Sequence, residues 1–273
     1  MIPGVSGGSM AMVLGIYDEL IASVSSFFKN IKKSLLFLGI FCAGAIIGMF
    51  LFAKQLGKLL DQYPMILMYF FMGAVAGSIP MMLRKAKVLG KNRAGDSGGL
   101  VPILKQIGFF ALGVVPVILL SFLPEDLLSF ETMDFKFYVV MIIAGVVAAI
   151  ALVLPGISIS HMLVMLGLYD HIIGLLDNGI SLQWLSMIPF GVGLLAGVFL
   201  CTKVLESAMN NHPTPTYLII LGFLIGSIFE VFPGLPTGLD LLICLPLFAV
   251  GFFIIFFLSL LEEKHETAQT SAS

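Results

Sequence analysis

Seven stretches of the chain run without a single charged side chain: Leu35–Ala53, Pro64–Leu83, Gln106–Leu123, Phe137–Ser160, Asn178–Thr202, Pro213–Phe229 and Leu241–Leu261. Each has about the 17 to 25 residues that a helix needs to cross a hydrocarbon core of about 30 Å. Apolarity within them is nearly continuous and does not alternate at every second residue, which excludes an outer-membrane β-barrel. The pattern predicts an all-α polytopic membrane protein.

The stretches fall into two copies of one unit. Pro3-Gly4-Val5-Ser6-Gly7-Gly8-Ser9-Met10 leads to Leu14-Gly15-Ile16-Tyr17-Asp18, and Pro155-Gly156-Ile157-Ser158-Ile159-Ser160-His161-Met162 leads to Leu166-Gly167-Leu168-Tyr169-Asp170, an offset of 152 residues. Further along, an offset of 149 residues pairs Gly48 with Gly197, Lys54 with Lys203, Pro64 with Pro213, and Gly73, Gly77, Ser78 and Ile79 with Gly222, Gly226, Ser227 and Ile228. Apolar helices resemble one another by chance, but not with Pro, Gly, Lys and Asp in step. The expected units are residues 1–84 as the first repeat, 85–123 as a basic loop and linking helix, 124–233 as the second repeat, and 234–273 as a last helix and tail. An apolar helix, about Phe137–Leu154, precedes the second motif and has no equivalent before the first. The expectation is a late start or a truncation that removes one helix.

Charge placement orients the copies. Lys29, Lys32 and Lys33 lie two crossings from Arg84, Lys85, Lys87, Lys91 and Arg93, so the positive-inside rule puts both clusters in the cytoplasm. Counting on, the acidic segment Pro124–Asp134 and the segment Asp177–Gln183 fall outside, and Glu262–Ser273 inside. Leu35–Ala53 then starts inside and its counterpart starts outside. The copies form inverted-topology repeats, an arrangement that suits alternating access, with the substrate site near the midplane where they meet. Hydrophobic residues are 59% of the chain and charged ones 11%, with a mean hydropathy of +1.09. A soluble domain carries about a quarter charged residues. The net charge of −2 says little by itself, and no nucleic-acid partner is expected. Cys42, Cys201 and Cys244 lack metal-ligand spacing and read as small core residues. No metal site and no cofactor motif is expected.

Pro-Gly-x-Ser ends one helix and begins another, because proline disfavours helix in the residue before it and serine caps the helix that follows. The first-turn N–H groups of the new helix lack intrahelical partners and attract anions, phosphate in particular. The candidate phosphate-binding residues are Ser6, Gly7, Gly8, Ser9, Ser158, Ser160 and His161. Broken helices at membrane depth are tolerated only where protein or a water-filled cavity covers the backbone, and these are expected to meet near the midplane, either spanning or re-entrant. The competing reading is a small-residue packing seam, which is preferred for Gly73/Gly77 and Gly222/Gly226. His161 stands where the first copy has Ser9. It could pair with phosphate, relay a proton, or rest neutral against backbone. Asp18, Asp170 and Glu230 are candidates for coupling or gating. On a continuous helix the Tyr-Asp pairs would lie about 13 Å from the motifs, near the interfaces, as anchors or gates.

The stretch from Pro3-Gly4-Val5-Ser6-Gly7-Gly8-Ser9 to Leu14-Gly15-Ile16-Tyr17-Asp18-Glu19 resembles a bacterial and archaeal membrane family once known only as a domain of unknown function, the polyprenyl-phosphate transporters of the PopT type. The resemblance covers essentially the whole chain. The second motif departs from the family form, with Ile159 in place of Gly and His161 after it. The resemblance implies a flippase in a bacterial or archaeal plasma membrane. It would return undecaprenyl phosphate to the cytoplasmic leaflet, with a coupling proton or cation as partner and homo-oligomerisation left open. Two other readings stand beside it: an undecaprenyl-diphosphate phosphatase and an ion-coupled carrier of a small anion. Phosphoryl transfer wants cationic charge on the transferred group, and both motifs lack the phosphatase family's Arg. His161 with Ser158 or Ser160 keeps that option open.

Overall fold

The computed structural model describes residues 7–91, 100–122, 135–169, 172, 182–236 and 238–270. Among them are ten helices: α1 (Gly7–Val13), α2 (Tyr17–Ser25), α3 (Ile31–Gln62), α4 (Pro64–Lys91), α5 (Leu100–Leu120), α6 (Phe135–Val153), α7 (Ile159–Met165), α8 (Ile188–Asn211), α9 (Pro213–Val231) and α10 (Leu239–Thr270). A 3₁₀ turn, Leu182–Met187, leads into α8. Helices α3, α4, α6, α8 and α10 are long and apolar enough to cross a membrane, and α5 and α9 carry shorter apolar runs. The chain is an all-α, multi-pass membrane protein.

Several helices overrun the uncharged stretches that announce them. α3 continues through Lys54, Lys58 and Asp61, α8 through Lys203 and Glu206, and α4 through Arg84, Lys85 and Lys87, where a loop was expected from residue 85. Long charged side chains are good helix formers, so loss of apolarity alone does not end a helix. Proline does. Tyr63 (φ −136°) and His212 (φ −133°) are driven out of the helical region by the prolines that follow them. Pro64 and Pro213 then open α4 and α9 at the position where a missing N–H costs nothing.

Glycines set how the long helices pack. A Cβ on Gly73 or Gly77 of α4 would overlap the backbone of Phe248 or Phe252 of α10. A Cβ on Gly222 of α9 would overlap Phe110 of α5, and one on Gly226 would press on Val117. Both GxxxG pairs are therefore packing seams. The facing helices reciprocate: Gly251 of α10 lies against Phe70, and Gly113 of α5 against Ile219. Phe110-Ala111-Leu112-Gly113 and Phe248-Ala249-Val250-Gly251 thus occupy matching places, at an offset of 138 residues. A third seam sets Gly145 of α6 against Gly193 of α8, and Gly197 of α8 against Val146 and Ala149 of α6.

α4 and α9 run antiparallel through the centre. Thr214 donates to the Ala86 carbonyl at one end (3.2 Å), and Tyr69 donates to the Gly234 carbonyl at the other (2.9 Å). Between them the buried core gathers Met12, Tyr17 and Ile21 with Met82, Met209, Ile220 and Leu224. α3 stands apart. A Cβ on Gly44 or Gly48, the sequence counterparts of Gly193 and Gly197, would meet nothing within 4 Å among the described residues. Cys42 is exposed on the same helix and is not the core residue its apolar surroundings suggested.

The seams predict a sharp contrast on one helix. Gly193→Leu must displace the Ile142 backbone and should lower thermal stability in detergent by the equivalent of at least 1–3 kcal/mol, about the cost of overpacking a core. Gly191→Leu, two residues away in open space, should leave the melting temperature unchanged.

Candidate functional site

The two motifs meet at the centre of the molecule. α1 seats its first turn on the loop between α6 and α7. Ser9, fully buried, accepts a hydrogen bond from the Gly156 backbone N–H (2.8 Å). A Cβ on Gly8 would come within 3.3 Å of Pro155 Cα, so the glycine leaves room for the second motif. Gly156 itself adopts φ +89°, a left-handed conformation that L side chains rarely adopt, and its α-carbon lies against the Phe223 backbone. Tyr17, 1% exposed, donates to the Val153 carbonyl (2.8 Å) at the end of α6.

Helices α1 and α7 have seven residues each. Both close on a left-handed glycine, Gly15 (φ 73°) and Gly167 (φ 66°). Ile16 N–H bonds to Ala11 and Gly15 N–H to Met12; Leu168 N–H bonds to Leu163 and Gly167 N–H to Val164. These are paired Schellman closures. They overturn the expectation of one continuous helix from motif to Tyr-Asp. The chain turns after α1, and Tyr17 is buried in the core.

On the far side of the second motif the wall becomes polar. Ser121, Ser158 and His161 line a small pocket with Val117, Leu120, Ile157, Met162 and Met165. Ser158 is extended (φ −83°, ψ 121°), precedes α7 and makes no side-chain capping bond to it. Ser121, just past the end of α5, donates to the Val117 carbonyl (3.2 Å). The pocket has about 10 Å³ of free volume, room for one water. A phosphate enters only if α5 and the second motif part. Next to it lies an apolar cavity of about 540 Å³, bounded by Pro116, Leu119, Val147, Ile150, Leu154 and Phe223. The two share Leu120, Ile157 and Met162 as walls.

A charged cluster joins α2, α4 and α9. One Asp18 oxygen accepts from Lys85 Nζ (2.7 Å) and from the Tyr217 hydroxyl (2.8 Å). Its other oxygen is buried and has no hydrogen-bond donor among the described residues. Nearby, Ser25 of α2 donates to Glu206 of α8.

Of the residues the sequence singled out, Ser158 and His161 share one pocket, with Ser160 between them on the same turn. Gly8 and Ser9 lie at the motif junction, where Pro155 and Gly156 occupy the room assigned to an anion. Gly7 is exposed, with nothing within 4 Å of a Cβ built on it. Ser6 and Asp170 lie outside the described residues, as does the side chain of Glu230. Sequence reasoning missed Ser121, Lys85 and Tyr217. None belongs to a repeated motif, and the only available signal was a polar residue closing an apolar run. Among the described residues no group of three His, Cys, Asp or Glu side chains comes together to hold a metal.

Long apolar helices packed around the break between α6 and α7, with a polar pocket beside an apolar cavity, are the architecture of a membrane transporter. Residues 1–239 match the VCA0040-like family of undecaprenyl phosphate translocase-like proteins, and the chain belongs to it. It is similar to a polyprenyl-phosphate transporter of Staphylococcus aureus, with 29% identity over 271 residues covering 97% of this chain and 93% of the relative. It is also similar to a polyprenyl-phosphate transporter of Vibrio cholerae serotype O1, with 25% identity over 253 residues covering 87% and 74%. Both relatives are named as transporters and neither as an enzyme. No solved structure matches.

The junction makes its own prediction. Ser9→Ala leaves the buried Gly156 N–H without this acceptor and should cost about 1–3 kcal/mol in unfolding measured in detergent. Ser160→Ala, on a half-buried position outside the junction, should cost less.

Proposed function

We propose that this chain is a flippase for polyprenyl phosphate, undecaprenyl phosphate in particular, and that Ser158, Ser160, His161 and Ser121 receive the phosphate. The reading rests on one observation above others: a polar pocket on the second motif, in a wall otherwise apolar, directly beside a cavity sized for hydrocarbon. Serine hydroxyls donate to phosphate oxygens, and the imidazole of His161 offers a further N–H donor. The names of the relatives supply the substrate. Gly7 and Ser6 remain candidates for the opposite approach to the site, whereas Gly8 and Ser9 act through the junction that holds the motifs together.

The same reading assigns movement. The antiparallel course of α4 and α9, with matched seams to α10 and α5, supports two inverted units that rock against each other in alternating access. The narrow pocket is then a closed state, and transport opens it. Asp18 acts as a latch: its bonds to Lys85 and Tyr217 tie α2 to both central helices, and a carboxylate so paired holds a gate shut. Asp170 and Glu230 remain candidates for coupling to a proton or cation. The protein sits in a plasma membrane with the Arg84–Arg93 segment and the C-terminus in the cytoplasm, and it returns the lipid from the outer to the inner leaflet.

Hydrogen bonds to a charged partner contribute about 1.5–3 kcal/mol, so His161→Ala and Ser158→Val should each weaken undecaprenyl phosphate binding by purified protein at least tenfold. Native mass spectrometry of the lipid-loaded protein reads this directly. Unchanged binding in both variants contradicts the pocket. Asp18→Asn, by contrast, should leave lipid binding within about threefold and change the rate of transport in vesicles.

A further inference from the structure

The apolar cavity next to the polar pocket has no role in a scheme where only the headgroup crosses inside the protein and the chain stays in the bilayer. We infer that this outward-opening cavity holds the first isoprene units of the lipid, so that the substrate binds with the start of its tail seated against the protein. The inference rests on the reading of the pocket as a phosphate site.

Adjacency carries it. Leu120, Ile157 and Met162 line both spaces, so only these side chains separate them, and a chain esterified to a phosphate at Ser158 and His161 enters the cavity once they part. The cavity's volume, about 540 Å³, falls in the range of ligand sites, roughly 300–1,000 Å³. Its walls are hydrocarbon and thioether throughout, so nothing in it could satisfy a sugar, a second phosphate or a glycerol ester. It opens outward where Leu119 of α5 and Ile150 of α6 are exposed, 61% and 41%, which lets the rest of a long chain continue into the bilayer.

Seating the tail does not work by hydrophobic transfer. Lipid tails are as apolar as the cavity wall, so moving a chain from one to the other gains little. What the wall provides is shape. Pro116 and Phe223 are rigid, Val147 and Ile150 are β-branched and stiff at χ1, and together they form a fixed slot that orients the phosphate ester toward Ser158. Packing in such a slot distinguishes a branched isoprenoid from a straight acyl chain. Selection for the polyprenyl class would then lie in α5 and α6, away from the residues that hold the phosphate.

The test is photolabelling of the full chain in vesicles with a farnesyl phosphate analogue bearing a diazirine on its first isoprene unit. Labels are expected on Leu119, Val147, Ile150 or Leu154, displaced by undecaprenyl phosphate but not by inorganic phosphate or dodecyl phosphate at the same concentration. Val147→Phe, which fills the slot, should raise the undecaprenyl phosphate concentration for half-displacement at least tenfold. Val139→Phe, exposed on the same helix, should leave it unchanged. Labels confined to the outer faces of α3 or α10, or equal displacement by dodecyl phosphate, overturn the tail cavity and leave the transport reading standing. Failure of undecaprenyl phosphate to displace any label overturns the transport reading itself. Because the labelling uses unaltered protein, a Val147→Phe variant that does not fold still leaves the result decisive.

Discussion

The backbone N–H of Gly156 is buried in an apolar interior, where an unsatisfied donor is costly, and it bonds to the hydroxyl of Ser9, 147 residues earlier in the chain. Much of the centre follows from that bond. It presses α1 onto the loop of the second motif, requires Gly8 to leave space for Pro155, and carries α2 back so that Tyr17 can cap the Val153 carbonyl. The break between α6 and α7 would be a liability alone, and α1 satisfies it. The first motif becomes the floor on which the second is built, and the second motif presents Ser158 and His161 to the pocket.

Around this junction the long helices pack by close backbone approach. Membrane helices gain no hydrophobic energy from one another, so association depends on contact and on the small residues that permit it. The α4–α10 and α9–α5 seams use glycines on both sides of each pair, in matching places. Pairs packed this closely suit the rocking motion proposed above, in which each would move as a body. The charged cluster at Asp18, Lys85 and Tyr217 crosses from one pair to the other and so lies where such motion would be felt.

Much of the fold was legible in the sequence. Uncharged runs long enough to span a bilayer gave the helices their places, and the Pro-Gly motifs marked where the helices break. The packing role of Gly73, Gly77, Gly222 and Gly226 followed from their spacing. Helix ends were harder to place, because Lys54, Lys58 and Lys203 continue a helix as readily as leucine does, and only the next proline stops it. The relation between α5 and α10 was hidden because the offset shifts from 149 to 138 residues, leaving a four-residue match too short to notice. Of the site, Ser158 and His161 were visible as motif residues. Ser121 was not, since nothing in its neighbourhood says that the end of α5 faces the second motif. Tyr17 looked like an interfacial aromatic because the left-handed turn at Gly15 that buries it is a backbone event, readable only as a Leu-Gly pair.

The most direct measurement is leaflet exchange of undecaprenyl phosphate in vesicles containing the purified chain, with inorganic phosphate release followed in the same sample and undecaprenyl diphosphate offered in parallel. Exchange of the monophosphate without phosphate release is the expected result. It would be lost on changing Ser158 and His161 and retained, more slowly or faster, on changing Asp18. Release of phosphate from the diphosphate would contradict a transporter and make the same pocket the site of a hydrolytic reaction.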